Sequence, residues 1–297
     1  MIPYNRKPHS SVEVNGVTIS DFTSSSINAD HNTVDSFGEE WNRFGNFSEA
    51  EIKRAGDQYF DIVTDKMLNK DSACLDIGCG SGRWSKYISS RAGFVEAVDP
   101  SDAVIPAVKL TQSCGNVRVT RAGYGCLPFE KESFDFVFSL GVVHHLPDTQ
   151  AAISEAASMV KKNGWLLLYI YYSLDNRSAF YRFIFHCSDL VRRVISSMPQ
   201  FLKNFFCDLI AVFVYIPFVG ISKFVKLFSS SLAVKVPLSY YSDKPWKVIR
   251  NDSLDRFGTP LEKRFSKKEI EDMLKNAGMK DICFSDNEPY WHVVASK

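Results

Sequence analysis

Leu75-Asp76-Ile77-Gly78-Cys79-Gly80-Ser81-Gly82-Arg83 ends a short apolar run with an acid and follows it with three glycines at alternate positions. Ala73–Ile77 reads as a buried strand, and glycines at this spacing let the turn after it bring backbone close to a ligand before a helix begins. An acid at Asp76 would repel the pyrophosphate of a dinucleotide. Farther on, Val98-Asp99-Pro100-Ser101 closes a second strand with a carboxylate, the group suited to accept two ribose hydroxyls.

Outward from this turn, short apolar runs at Phe94–Val98, Val117–Thr120, Phe134–Leu140 and Trp165–Tyr171 alternate with amphipathic segments. That alternation predicts a doubly wound parallel α/β sheet. Near the end, Ser266-Lys267-Lys268-Glu269 is a capping box that opens a helix through Ile270, Met273 and Leu274 and stops at Gly278. Two strands, Ile282–Ser285 and Tyr290–Ala295, should then form a hairpin across Asp286-Asn287-Glu288-Pro289. Upstream, Val12–Ile19 alternates around Asn15-Gly16, a pair suited to a type I′ turn. From Asp35 the spacing of Phe37, Trp41 and Phe44 predicts a helix, and a second is expected over Glu49–Leu68. Phe37, Trp41 and Tyr59 would either cover a bound cofactor or pack on the sheet.

The stretch Leu127-Pro128-Phe129 followed by Ser133-Phe134-Asp135-Phe136-Val137-Phe138-Ser139-Leu140-Gly141-Val142-Val143-His144-His145-Leu146 resembles the "LPF…sFD…vlHHl" region of class I S-adenosylmethionine (SAM) methyltransferases. That group includes the ubiquinone and menaquinone biosynthesis enzymes. The glycine turn is likewise similar to the family's Asp-x-Gly-x-Gly-x-Gly motif. The likeness covers Cys74 to Tyr171 well and the last forty residues loosely. It implies a Rossmann-like, seven-stranded sheet ending in an antiparallel pair, with SAM as cofactor. The implied cofactor residues are Asp76, Gly78, Cys79, Gly80, Gly82, Asp99, Pro100, Gly125, Cys126, Leu127, Leu140 and Gly141. One departure stands out: where the family often has an acid or amide for the adenine amino group, this chain has Gly123-Tyr124-Gly125-Cys126. Backbone groups would then read adenine, with Tyr124 against its face.

Between Ser173 and Pro260 the core alternation stops, which marks an insertion. The expected organisation is an N-terminal hairpin and cover segment (1–45), a SAM-binding core (46–172), a helical lid (173–260) and the end of the core (261–297). The insertion is rich in Phe, Leu, Ile and Val, and from Ser178 to Pro245 it carries Arg182, Arg192, Arg193, Lys203, Lys223, Lys226, Lys235 and Lys244 against Asp189, Asp208 and Asp243. Such helices suit a membrane interface or a greasy acceptor, and the plainer alternative is a lid that buries its apolar faces on the core. A spanning helix is not expected, because the purely apolar run Leu209–Ile221 is short and contains Pro217 and Gly220.

The formal net charge of +1 gives no long-range field for nucleic acid, so a nucleic-acid partner is not expected. Seven cysteines without a CxxC pair, and a start without an apolar signal core, point to reduced thiols in a cytoplasmic protein. No His, Asp or Glu set has metal-ligand spacing. Methyl transfer needs alignment and exclusion of water more than a strong catalytic apparatus, but an alcohol or phenol must still lose a proton. His145 and His144 are the candidate bases, since the pair borders the active site in the resembling family. Tyr172, Tyr240, Tyr241 and Arg250, at the two ends of the insertion, are the candidate contacts to a small-molecule acceptor. The other readings are an RNA or protein methyltransferase, or a SAM-binding module without activity.

Overall fold

The computed structural model describes residues 1–24, 28–44, 47–174, 179–234 and 236–297. Asp175 and Arg177, further polar groups expected to contact the acceptor at the start of the insertion, lie outside the described residues, as do Lys235 and the side chains of Phe44 and Arg182. The chain forms two compact units, residues 1–175 with 261–297 and residues 176–260.

In the first unit, β1 (Ser10–Val14) and β2 (Val17–Asp21) form an antiparallel hairpin. Asn15 and Gly16 between them have φ of 51° and 76°, as a type I′ turn requires. Two helices follow, α1 (His31–Phe44) and α2 (Glu49–Tyr59). The second is shorter than expected: Ser48 and Glu51 form its capping box, and the chain leaves the helix at Phe60, well before Leu68. The core then runs β3 (Ala73–Ile77), α3 (Arg83–Ser89), β4 (Phe94–Asp99), α4 (Val104–Thr111), β5 (Val117–Arg121), β6 (Phe134–Leu140), α5 (Thr149–Met159) and β7 (Val160–Tyr169).

The sheet order is β1-β2-β5-β4-β3-β6-β7-β9-β8, in which β8 (Lys280–Phe284) and β9 (His292–Ser296) are the closing strands. Strands β3 to β7 are parallel, and β9 runs antiparallel to both β7 and β8. Central β3 is buried on both faces, as a parallel strand between helix layers must be. The expected seven strands thus become nine. The two extra are the N-terminal hairpin, which joins the edge through a parallel pairing of Asp21 with Arg121 and so covers backbone that β5 would leave open.

The second unit is helical: α6 (Ala179–Ser196), α7 (Gln200–Ile210), α8 (Ile216–Lys226), α9 (Ser230–Ala233) and α10 (Trp246–Gly258). A π-helical turn, Ala211–Tyr215, joins α7 to α8, so Gln200–Lys226 is one continuous helix of 27 residues. The apolar run Leu209–Ile221 is thus the middle of a longer helix. Pro217 does not break the helix because the widened turn just before it relieves the clash of its ring with the preceding carbonyls. By length and composition alone the helix could cross a membrane. The last helix, α11 (Lys267–Asn276), belongs to the first unit and starts at the expected capping box of Ser266 and Glu269.

Candidate active site

At the carboxyl ends of β3 and β4 the chain encloses a cleft of about 880 Å³, counting its open mouth. That position is where open α/β sheets bind ligands. The glycine turn forms its floor. Gly78, Gly80 and Gly82 all have positive φ, and the N–H groups of Gly78 and Cys79 donate to the Val98 carbonyl, which fastens the turn to β4. A Cβ on Gly78 would stand 2.5 Å from Val142, and one on Gly80 would stand 2.9 Å from the Trp41 ring nitrogen. Both glycines are therefore required by close approach as well as by backbone conformation.

Two buried carboxylates flank the turn: Asp99 lines the cleft, and Asp76 lies just behind its lining, wholly buried. Asp76 accepts a hydrogen bond from the Ser85 hydroxyl at 2.7 Å through Oδ2, while its Oδ1 is buried without a partner. Burial, with a smaller contribution from Asp99, pushes its pKa up to about 7 against the opposing Ser85 hydrogen bond and Arg83 charge. An unpaired buried carboxylate oxygen is costly unless a donor completes it, and an ammonium would do so. Asp99 accepts from Ser101 N–H and Oγ at 2.9 and 2.6 Å, and from Gly80 N–H at 2.9 Å. Three bonds leave the carboxylate further acceptor capacity for a hydroxyl. The residues present thus fit SAM.

The roof comes from α1. Phe37 and Trp41 line the cleft, as do Asn28, Asp30 and Thr33 before and within the first turn. Asp30 caps this helix by accepting from Thr33 N–H and Oγ1 at 2.8 and 2.7 Å. Asn28 is tied to Asp148 in both directions and to the Tyr124 carbonyl. Sequence reading began the helix at Asp35 and missed these residues, although Asp30-x-x-Thr33 is a helix-start signature. Tyr59 does not join the roof; it packs on Trp84 and Tyr169. The Arg83 guanidinium lies 5.1 Å from the Trp41 ring.

The structure separates the two histidines. His145 lines the cleft, meets Phe37 edge-on, and donates from Nδ1 to the Leu261 carbonyl at 2.7 Å. That bond makes Nε2 the basic atom of the neutral ring. His144 is fully buried and stacks on Tyr171 at 3.9 Å, and its Nδ1 accepts from Tyr171 N–H. Burial first, then neighbouring His145 and Arg264, hold its pKa well below the usual histidine value, so it stays neutral and packs.

Among the other expected cofactor residues, Cys79, Pro100, Leu140 and Gly141 line the cleft together with Tyr124 and Gly123. Gly125, Cys126 and Leu127 lie beside it: Gly125 N–H donates to Glu155 at 2.7 Å, and Cys126 folds back onto Gly123. Burial raises the pKa of Glu155, a carboxylate that sequence reading did not single out, against the backbone hydrogen bonds of Gly125 and Leu127. Tyr172 packs on Tyr290 and Trp291 rather than lining the cleft. In the second unit Arg250 is bound to Asp208, Tyr241 is buried against Tyr215, and exposed Tyr240 packs edge-on against Tyr241. Arg250 is therefore engaged as an internal ion pair, and Arg256 pairs with Asp252 in the same way. Among the described residues no group of three His, Cys, Asp or Glu could hold a metal ion.

Residues 75–168 match the family model described as "Methyltransferase domain". Curated relatives include a ubiquinone biosynthesis O-methyltransferase of Bradyrhizobium diazoefficiens, 34% identical over 32% of this chain and 38% of that protein. Another of the same name, from Nitrosomonas europaea, is 28% identical over 40% of this chain and 50% of its own length. The chain thus spans about half or less of the length of these relatives. A putative methyltransferase of Bacillus halodurans superposes with a TM-score of 0.47 at 15% identity, over 77% of this chain and 70% of that one.

Proposed function

We propose that this chain, whose core is a class I SAM-dependent methyltransferase domain, moves a methyl group from SAM to an oxygen or nitrogen atom of a small, hydrophobic or lipid-linked acceptor. The single observation that carries this reading is the unpartnered Oδ1 of Asp76, buried beside a glycine turn that has Asp99 on its other side. When bound, SAM supplies an electrophilic methyl on a sulfonium that leaves as a neutral thioether. Asp76 would hold the ammonium, Asp99 the ribose hydroxyls, and Tyr124 would face the adenine. Phe37 and Trp41 would keep water from the sulfonium. An attacking hydroxyl would give its proton to Nε2 of His145, which the Leu261 carbonyl orients for that task. The names of the relatives favour an oxygen acceptor.

The reading is tested by calorimetry with SAM, S-adenosylhomocysteine and NAD: the first two should bind and NAD should not. Tight NAD binding with no SAM heat would overturn it. Labelled SAM added to fractionated extract of the host should then reveal the acceptor. We further propose that the insertion over residues 173–260 sets acceptor choice, since every cofactor motif lies outside it. A chimera with another enzyme's insertion should keep SAM affinity and change the product. An unchanged product at an unchanged rate would move the search to residues 1–45.

A further inference from the structure

The long helix Gln200–Lys226 is packed inside out for a protein in water. Its buried positions, Lys203, Cys207, Ala211, Tyr215, Val219 and Ser222, recur about every four residues and are mostly polar or small. They meet polar partners. Tyr215 donates to Asp252 at 2.5 Å, the Ser253 hydroxyl donates to the Cys207 carbonyl at 2.7 Å, and Ser222 donates to the Ala233 carbonyl. The opposite faces carry Phe201, Phe205, Phe213, Ile216, Ile221 and Phe224, all exposed, with Phe201 and Phe213 each at 71%. On α6 the same inversion holds: Arg192 is buried on Asp189 and on the carbonyls of Thr259 and Pro260, while Leu190, Val191 and Val194 are exposed. Small and hydrogen-bonded residues inside with apolar residues outside is the arrangement of helices whose solvent is lipid.

Charge selects the kind of surface. Residues 176–260 hold 12 Lys and Arg against 5 Asp, a net of +7 in a chain whose total is +1. Arg193, Lys223, Lys226 and Lys247 are exposed, whereas Asp189, Asp208 and Asp252 are taken up by ion pairs inside the unit. A second copy seated on this face would bring two units of net charge +7 together. Single-stranded RNA would meet the charge and stack bases on the phenylalanines, but it would leave the exposed Leu190, Val191, Val194, Ile216 and Ile221 in water. An anionic bilayer satisfies both features, because acyl chains take the aromatic and aliphatic faces and headgroups take the cations.

We infer that the helical unit is a membrane-docking module that seats its exposed apolar helix faces in the surface of an anionic phospholipid bilayer. The helix lies in the interface and does not cross, since Asp208 on it, with Arg250, Asp252 and Arg256 of α10, keeps one side of it charged from Asp208 to Tyr215. The inference is independent of the methyl-transfer reading and survives its failure.

The test is sedimentation of the full chain with phosphatidylcholine vesicles, with and without phosphatidylglycerol. Binding should be strong only to the anionic vesicles, weaken with salt, and fall at least about tenfold in a Phe201→Ser, Phe213→Ser, Phe224→Ser variant. Lys223→Glu with Lys226→Glu should abolish the preference for anionic lipid. Helical circular dichroism and an unaltered cooperative thermal melt establish that each variant is folded. A full chain that stays in the supernatant with both vesicles overturns the inference. So does equal binding by the serine variant, a dimer in sedimentation velocity that the serine variant abolishes, or oligonucleotide binding stronger than vesicle binding.

Discussion

Binding of S-adenosylhomocysteine below neutral pH should expel a proton from Asp76. The carboxyl is wholly buried and its pKa is pushed up to about 7, mainly by loss of solvent, with the neighbouring Asp99 adding to it and Arg83 opposing. In the ligand-free chain at pH 6, about 0.9 of the molecules would carry the proton, against roughly 0.1 at pH 8. A ligand ammonium against Oδ1 favours the charged form, so binding releases close to one proton at pH 6 and almost none at pH 8. Apparent affinity should climb about tenfold per pH unit below 7 and then level off. Without ligand the sign is reversed for stability. A raised carboxyl pKa favours the folded state at low pH, and this contribution is lost as pH rises from about 4 through 7, by about 4 kcal/mol at most. Calorimetry in buffers of small and large ionisation enthalpy counts the protons, and Asp76→Asn supplies the baseline. If the wild-type chain releases no proton at pH 6, or Asp76→Asn binds and releases as many, the ammonium does not sit on Asp76.

Asp99→Ala should weaken SAM binding by roughly 1–3 kcal/mol through loss of charge-assisted hydrogen bonds, and an unchanged calorimetric affinity would place the ribose elsewhere. Gly78→Ala combines a left-handed backbone with a Cβ 2.5 Å from Val142, so it should lower the denaturation free energy by about 1–3 kcal/mol; a neutral melt would contradict that packing. With the acceptor in hand, His145→Gln should slow turnover by about 10²–10⁴-fold without altering SAM affinity, whereas His144→Gln should act on stability. Equal rate losses in the two would undo the distinction between them. Hydrogen exchange should show protection of residues 31–44 when S-adenosylhomocysteine binds, and unchanged exchange there would mean that Phe37 and Trp41 only pack on the core.

The strands around the glycine turn were legible from residue order because each is a short apolar run bounded by turn residues. Phe134–Leu140 and Ala73–Ile77 fall where the pattern puts them. The place of Asp99 was legible for a similar reason, since it closes β4 where the carboxyl end of the strand borders the cleft, whereas Asp76, one residue before the end of β3, turns one oxygen to Ser85 behind the lining. What separates His144 from His145 is not local. The carbonyl that sets the His145 tautomer belongs to Leu261, 116 residues away, and the ring that encloses His144 is that of Tyr171. The addition of β1 and β2 to the sheet likewise depends on one distant pairing, Asp21 with Arg121, which no spacing within the hairpin reveals. In the helical unit, apolar residues occur all around Gln200–Lys226, so periodicity could not say which side would be covered. Only the tertiary structure decided that, because the polar groups of α10 satisfy the hydrogen bonds of the small and polar stripe and leave the phenylalanines facing outward.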